Sequence, residues 1–163
     1  MILIGVGSNL PSDKYGSPLA TCAAALAELE REGIAIRRRS RWYESEPVPP
    51  SGQPWFVNGV AEIATDLPPE SLLAVLHRIE EKFGRVRRER NEARILDLDL
   101  LAYDDIVCNG PPGPTLPHPG IAARAFVLLP LADVAPDWRH PVTGLTVAEL
   151  VAALPKGQVA RPL

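Results

Sequence analysis

RILDLDLLAY, residues 94–103, sets Asp97 and Asp99 in the middle of an otherwise apolar run. Read as a strand, the run sends successive side chains to opposite faces. The two carboxylates then share one face, while Leu96, Leu98 and Leu100 share the other. Like charges on one face repel, and unpaired carboxylates in a sheet interior are costly. A solvated face and a cation site both satisfy the pattern. The leucine face needs a covering layer, so the strand's place depends on the elements around it.

Upstream, a helix is expected after Leu67-Pro68-Pro69, with Leu72, Leu76, Ile79 and Phe83 as its apolar stripe and Gly84 at its end. Before it, FVNGVAEIA (56–64) reads as a strand and IAIRRRSRWYESE (34–46) as another, anchored by Ile34, Ile36 and Trp42. Ser17-Pro18 supplies a cap and first position for a helix through about Arg31, with Leu19, Ala23, Leu26 and Leu29 at helical spacing. ILIGVG opens the chain as a strand. The order β-α-β-β-α-β predicts an α+β, ferredoxin-like split βαβ fold with additional C-terminal elements.

Downstream, NGPPGPTLPHPG reads as a loop over one edge of a site. Short helices are expected from Ile121 towards Leu129 and from Thr146 to Ala153, with KGQVARPL frayed at the end. Without an internal repeat or a long linker, residues 1–163 read as one domain.

Of the 163 residues, 46% are hydrophobic and 23% charged, the balance of a folded globular chain, and the formal charge of -3 gives no support to nucleic acid or an acidic membrane as partner. No apolar run reaches transmembrane length, and the start lacks the features of a signal peptide. A cytoplasmic protein is the default expectation. Cys22 and Cys108 suggest no disulfide scaffold.

Three further clusters carry chemistry. GRVRRERNEAR (84–94) places Arg85, Arg87, Arg88, Arg90 and Arg94 directly before the acidic strand. Guanidinium forks match phosphate oxygens, and Mg²⁺ on two carboxylates keeps positions open for phosphate and water. Within QPWFVN (53–58), Phe56 and Asn58 share a strand face, an aromatic platform beside an amide that suits a flat heterocycle. Core packing is the plainer expectation for Trp55. PHPGIAARAF (117–126) supplies His118, Arg124 and Phe126, whereas His77 falls off its helix's apolar stripe and is expected in solvent. The same aspartates and arginines would also serve a two-metal phosphoesterase or nuclease. A ferredoxin-like RNA-binding module could use Phe56 for stacking and the arginines on phosphates.

GSNL (7–10), QPWFVN, RIE (78–80), GRVRRER before LDLDL, and LPHP with ARAFVLLPL together resemble the 6-hydroxymethyl-7,8-dihydropterin pyrophosphokinase family of folate biosynthesis. The resemblance runs from Ile2 to about Trp138. It implies a ferredoxin-like enzyme that moves a pyrophosphoryl group from ATP, its cosubstrate, to the hydroxymethyl group of a reduced pterin and releases AMP, with two Mg²⁺ ions. It implies metal binding by Asp97 and Asp99, and a catalytic set of Arg85, Arg94, Asp97 and Asp99. Ser45, Val48, Phe56, Asn58 and Phe126 match pterin-side positions. Glu80, Arg85, Arg87, Arg94, Thr115, His118 and Arg124 match nucleotide-side positions. A monomer without nucleic-acid or membrane partners is the matching expectation. The chain departs from the family at Arg90-Asn91-Glu92-Ala93-Arg94-Ile95, where a tryptophan is usual, and at Gly113, where some members have arginine. Glu44 and Glu46 are expected to add negative charge beside the pterin entrance.

Overall fold

The computed structural model describes residues 1–47, 51–84 and 95–163. Among these, β1 (Ile2–Ser8), β2 (Ala35–Arg39), β3 (Tyr43–Ser45), β4 (Phe56–Ala64), β5 (Asp97–Tyr103) and β6 (Ala160–Pro162) form one sheet. Its order is β5-β1-β4-β3-β6, with β2 also on β4, and every pairing is antiparallel. Helix α1 (Pro18–Arg31) joins β1 to β2 with β4 between them, and α2 (Pro69–Lys82) joins β4 to β5 with β1 between them. This is the ferredoxin-like arrangement expected from the element order.

Local chemistry explains the helix limits. Pro18 pre-sets the first turn of α1, and the Ser17 hydroxyl accepts from the Ala20 amide at 3.2 Å. Gly84, at φ 92°, turns the chain out of α2 through a backbone region other residues enter at a cost. Glu28, buried on α1, accepts from Lys82 of α2 at 2.6 Å and from Arg31 at 2.9 Å, which ties the helices together.

Both helices cover one sheet face. Ile2, Ile4, Val6, Ala61, Ile63, Leu98 and Leu100 meet Leu26, Leu29, Leu72, Leu76 and Ile79 there. Among the described residues the opposite face is covered only in part. Leu3, Val60, Leu101 and Ala102 pack under α3 (Ala125–Val134) and α4 (Val147–Ala152) with Trp138. Beyond that second layer, no described helix covers the sheet face. Among the described residues, no helix is long and apolar enough to cross a membrane.

Three expectations change. The single strand over 34–46 is two, because the Ser40 hydroxyl takes the Val60 amide at 2.9 Å where the ladder would have continued. The helix expected from Ile121 is a short 3₁₀ turn, Ile121–Ala123, followed by α3. Arg124 is extended between them, at φ -121° and ψ 112°. The terminal residues are not frayed: β6 pairs with β3, Glu44 opposite Arg161 and Ser45 opposite Ala160.

β3 is fastened to α3 as well. The Tyr43 hydroxyl donates to Asp133 Oδ2 at 2.9 Å, and Arg41 Nη2 donates to Oδ1 at 3.2 Å. On the helix side of β4, Gly59 lies under the Trp42 ring, and a Cβ there would stand 2.6 Å from a ring carbon. Gly59→Ala should therefore destabilise the fold by roughly 1–3 kcal/mol, the usual cost of overpacking. Urea unfolding with an unchanged m-value would measure it.

Candidate active site

The site is built across three strands. β1 pairs Gly7 with Asp97 on β5 and with Asn58 on β4, and pairs Gly5 with Asp99 and Val60. Opposed residues send their side chains to the same face. Two rows therefore cross the open face, Asn58–Gly7–Asp97 and Val60–Gly5–Asp99, with glycine in the middle of each. Gly7 is required for space. A Cβ there would sit 2.9 Å from Asn58 Nδ2. The result is a strip of bare backbone, with Asp97 and Asp99 along one side and Asn58 and Val60 along the other.

Above this floor lies a cleft of about 930 Å³. Its lining includes the aromatics Phe56 and Phe126, the polar Asn58, Asp97, Asp99, His118 and Arg124, the segment with Glu46, Pro47 and Gln53, and Leu73 and His77 of α2 with Gly113, Pro114 and Thr115. The volume falls within the range of small-ligand sites.

Asn58 is buried and its orientation is fixed. Ser45, paired with Phe56 across the β3–β4 ladder, donates its hydroxyl to Asn58 Oδ1 at 2.5 Å. The amide nitrogen thus turns towards Gly7. The next layer is Asn9, also buried, which donates to Gln53 Oε1 at 3.2 Å and to the Pro54 carbonyl at 3.1 Å. It holds the segment that leads into Phe56. Nothing within GSNL marked Asn9 for a role of its own.

Asp97 and Asp99 both lie half-buried on the open face, and Leu98 between them is buried on the other. Glu80 serves the strand from below. It is 1% exposed, and its Oε2 accepts from the Leu98 amide at 2.8 Å. The cleft lining does not include it. Its carboxylate holds the backbone between the two aspartates, a role the sequence had not indicated.

His118 stands over Asp99, with Nε2 3.8 Å from Oδ1. Its amide donates to the Leu101 carbonyl at 2.8 Å, and its Nδ1 accepts from the Gly120 amide at 2.9 Å. That assigns the ring proton to Nε2, on the cleft side. Burial lowers the imidazole pKa, Arg124 lowers it further, and Asp97 opposes both. The ring is a neutral donor at pH 7. The Arg124 guanidinium lies over the Phe126 ring, 5.6 Å from its centroid. It occupies space left by Gly120, where a Cβ would come within 2.8 Å of its central carbon.

Ser45, Phe56, Asn58, Asp97, Asp99, Thr115, His118, Arg124 and Phe126 thus converge on one cleft or its lining. Val48, Arg85, Arg87 and Arg94, together with Arg88 and Arg90, lie outside the described residues. His77 lines the cleft, one turn on from Leu73, which lines it too. Trp55 is 39% exposed rather than core, and Arg161 lies over its ring at 5.3 Å. Glu44 does not add a bare charge, since Arg161 Nε pairs with its Oε1. At Gly113 the backbone has φ 87°, where arginine would be strained, so that departure belongs to the local loop conformation.

The family model for 7,8-dihydro-6-hydroxymethylpterin-pyrophosphokinase (HPPK) matches residues 3–136 of the chain. A 2-amino-4-hydroxy-6-hydroxymethyldihydropteridine pyrophosphokinase of Pseudomonas aeruginosa is 43% identical over 155 residues, which cover 94% of this chain and 91% of that protein. One of the same name from Synechocystis is 41% identical over 150 residues, covering 91% of this chain and 73% of that one. Among solved structures, a Plasmodium falciparum HPPK-DHPS aligns over 93% of this chain with a TM-score of 0.70 and 15% identity. The chain spans 43% of that structure's length, and the likeness carries the fold alone.

The support beneath β5 can be tested directly. Glu80→Ala should cost about 1–3 kcal/mol, since it leaves the Leu98 amide buried without this acceptor. Glu80→Gln, which keeps an acceptor oxygen, should recover part of the loss. Paired denaturant curves would check both.

Proposed function

The chain belongs to the 7,8-dihydro-6-hydroxymethylpterin-pyrophosphokinase family and transfers pyrophosphate from ATP to hydroxymethyldihydropterin in folate synthesis; from that premise we propose that the transfer takes place on the floor crossed by Asn58, Gly7 and Asp97. The observation that carries this reading is the register of those three residues. Adjacent strands lie ~4.8 Å apart, so Asn58 and Asp97 stand about 10 Å from each other across β1. That separation suits a heterocycle held at one end and a phosphate chain held at the other.

At the acceptor end, Phe56 and Phe126 offer ring faces to the pterin. The Asn58 amide, locked by Ser45, reads its polar edge. Val48 belongs to this end by family resemblance. At the nucleotide end, Thr115, His118 and Arg124 face the phosphates, with Arg85, Arg87 and Arg94 assigned there by the same resemblance. The His118 Nε2 proton is a donor for an anionic oxygen, and Arg124 adds a positive charge.

Asp97 and Asp99 would hold the Mg²⁺ ions. No cluster of three or more His, Cys, Asp or Glu side chains among the described residues could hold a metal by itself. Two carboxylates on an open floor nevertheless fit Mg²⁺, which takes few protein ligands and completes its shell with phosphate oxygens and water. Bound there, Mg²⁺ supplies charge neutralisation on the transferring and leaving oxygens.

The protein's own work is positioning. The ring walls and Asn58 hold the hydroxymethyl oxygen in line with the β-phosphorus. The new O–P bond forms as the bridge to the α-phosphorus breaks, AMP leaves, and the hydroxyl proton passes to solvent. A loose phosphoryl transition state asks little of a general base, so alignment and charge account for most of the rate.

With Mg²⁺, 6-hydroxymethyl-7,8-dihydropterin and ATP labelled at the γ-phosphate, the label should appear in a pterin diphosphate alongside an equal amount of AMP. ADP with a pterin monophosphate, or free labelled phosphate formed without pterin, would overturn the reading.

Asp97→Asn and Asp99→Asn should each lower turnover on the order of 100-fold while leaving the circular dichroism spectrum unchanged, because an amide neither offsets nor ligates Mg²⁺ as well. Turnover across a Mg²⁺ titration is the measurement. Near-normal rates at low Mg²⁺ in both variants would remove the metal from these residues.

A further inference from the structure

The C-terminal segment touches both sides of the acceptor end. On one side, β6 pairs with β3, placing Ala160 opposite Ser45, and the Val159 carbonyl accepts from the Glu46 amide at 3.0 Å. Ser45 is the residue that locks Asn58, and Glu46 lines the cleft. On the other side, Gln158 reaches the entry to α3. Its Oε1 accepts from the Ala125 amide at 2.9 Å, and its Nε2 donates to the Ala123 carbonyl at 2.6 Å.

The second contact replaces something missing. A helix start leaves amides without partners, and a side chain at the cap position usually takes one of them. α3 has Arg124 at its cap, and Arg124 makes no capping hydrogen bond. Its guanidinium is turned instead towards Phe126 and Gly120. Gln158, 33 residues further along the chain, supplies the acceptor in its place. Arg124 is thereby left to the cleft, and the first turn of α3, which carries Phe126, is held by a segment that is itself hydrogen-bonded to the Ser45 strand.

We propose that Gln158 is a positioning residue for the acceptor: through β6 it couples the wall carrying Phe126 to the wall carrying Ser45 and Asn58, and so sets the width of the pterin end of the cleft. The inference rests on the pterin reading above. Arg161 acts in the same direction, since it joins Glu44 of β3 to the Trp55 ring just before Phe56. The β6 pairing and Arg161 act on the acceptor wall, whereas Gln158 also flanks Arg124 through Ala123 and Ala125, so its loss should be felt more by the acceptor than by the nucleotide.

The test is a pair of substitutions in the full chain. Gln158→Met keeps the length of the side chain and removes both hydrogen bonds. Gln158→Glu keeps the acceptor for Ala125 but places an oxygen against the Ala123 carbonyl. Steady-state kinetics should show the pterin KM raised about tenfold in Gln158→Met, the order expected when a binding wall loses one anchoring pair. The ATP KM should rise by clearly less than the pterin KM. Gln158→Glu should fall between Gln158→Met and the native chain, and it carries the test if Gln158→Met does not fold. Titration of the pterin in the presence of a nonhydrolysable ATP analogue should give the same ranking in Kd. An unchanged pterin KM in a folded variant would overturn the proposal. So would pterin and ATP KM values that rise together with a falling Tm, which is the mark of a purely structural residue. If the native chain itself forms no pterin diphosphate, the functional reading fails first, and the two failures are told apart by that control.

Discussion

β1 lies between β4 and β5, and its register against both neighbours puts Gly7 between Asn58 and Asp97, and Gly5 between Val60 and Asp99, on the face away from α1 and α2. Everything functional in this protein depends on that alignment. A slip of one residue would turn Ile4 and Val6 towards the cleft and send the glycines under α1 and α2. The alternation that buries Ile2, Ile4 and Val6 beneath the helices is therefore also what keeps the floor bare. Core packing and site geometry are two readings of one pairing.

The covering layers complete the argument. α1 and α2 seal one face, which gives the leucines of β5 their partners and leaves its aspartates facing the other way. α3 and α4 cover only part of that other face. The cleft is the remainder, and its charges are set from outside it: Glu80 from below, Ser45 and Asn9 from the side, the Gly120 amide from the loop. In each case a buried or half-buried polar group orients a residue that faces the ligand. Such support gives a site its precision without adding to the groups that meet the substrate.

Much of this was readable from local pattern. Asp97 and Asp99 alternate with leucines, Phe56 and Asn58 are two apart on a strand, and Ser17-Pro18 marks a helix start, so each position follows from spacing alone. The rest depends on partners far away in the chain. Nothing near Gln158 indicates that it caps α3, because the helix it serves begins 33 residues earlier. His77 was judged on its own helix, where it falls off the apolar stripe, but the sheet beneath makes that side of α2 part of the cleft lining. Trp55 looked like core because it is large and aromatic, yet alternation turns it outwards beside Phe56, and Arg161 covers its ring. Glu80 gave no sign in the sequence that it would hold the Leu98 amide, because that contact joins α2 to a strand 18 residues away.

β2 has a further consequence for the behaviour of the chain in a crowded solution. Among the described residues it pairs with β4 alone, so it forms an edge of the sheet, the kind of place where another strand could add on. The strand is only five residues long, and three of them, Arg37, Arg38 and Arg39, carry positive charge. Two copies that met along this edge would bring six guanidinium groups together, and like charges on paired strands repel. Further along the same side of the sheet, β6 is three residues long and closes on Pro162, which has no amide to offer. This side of the sheet thus resists templated aggregation by charge along β2 and by brevity at β6.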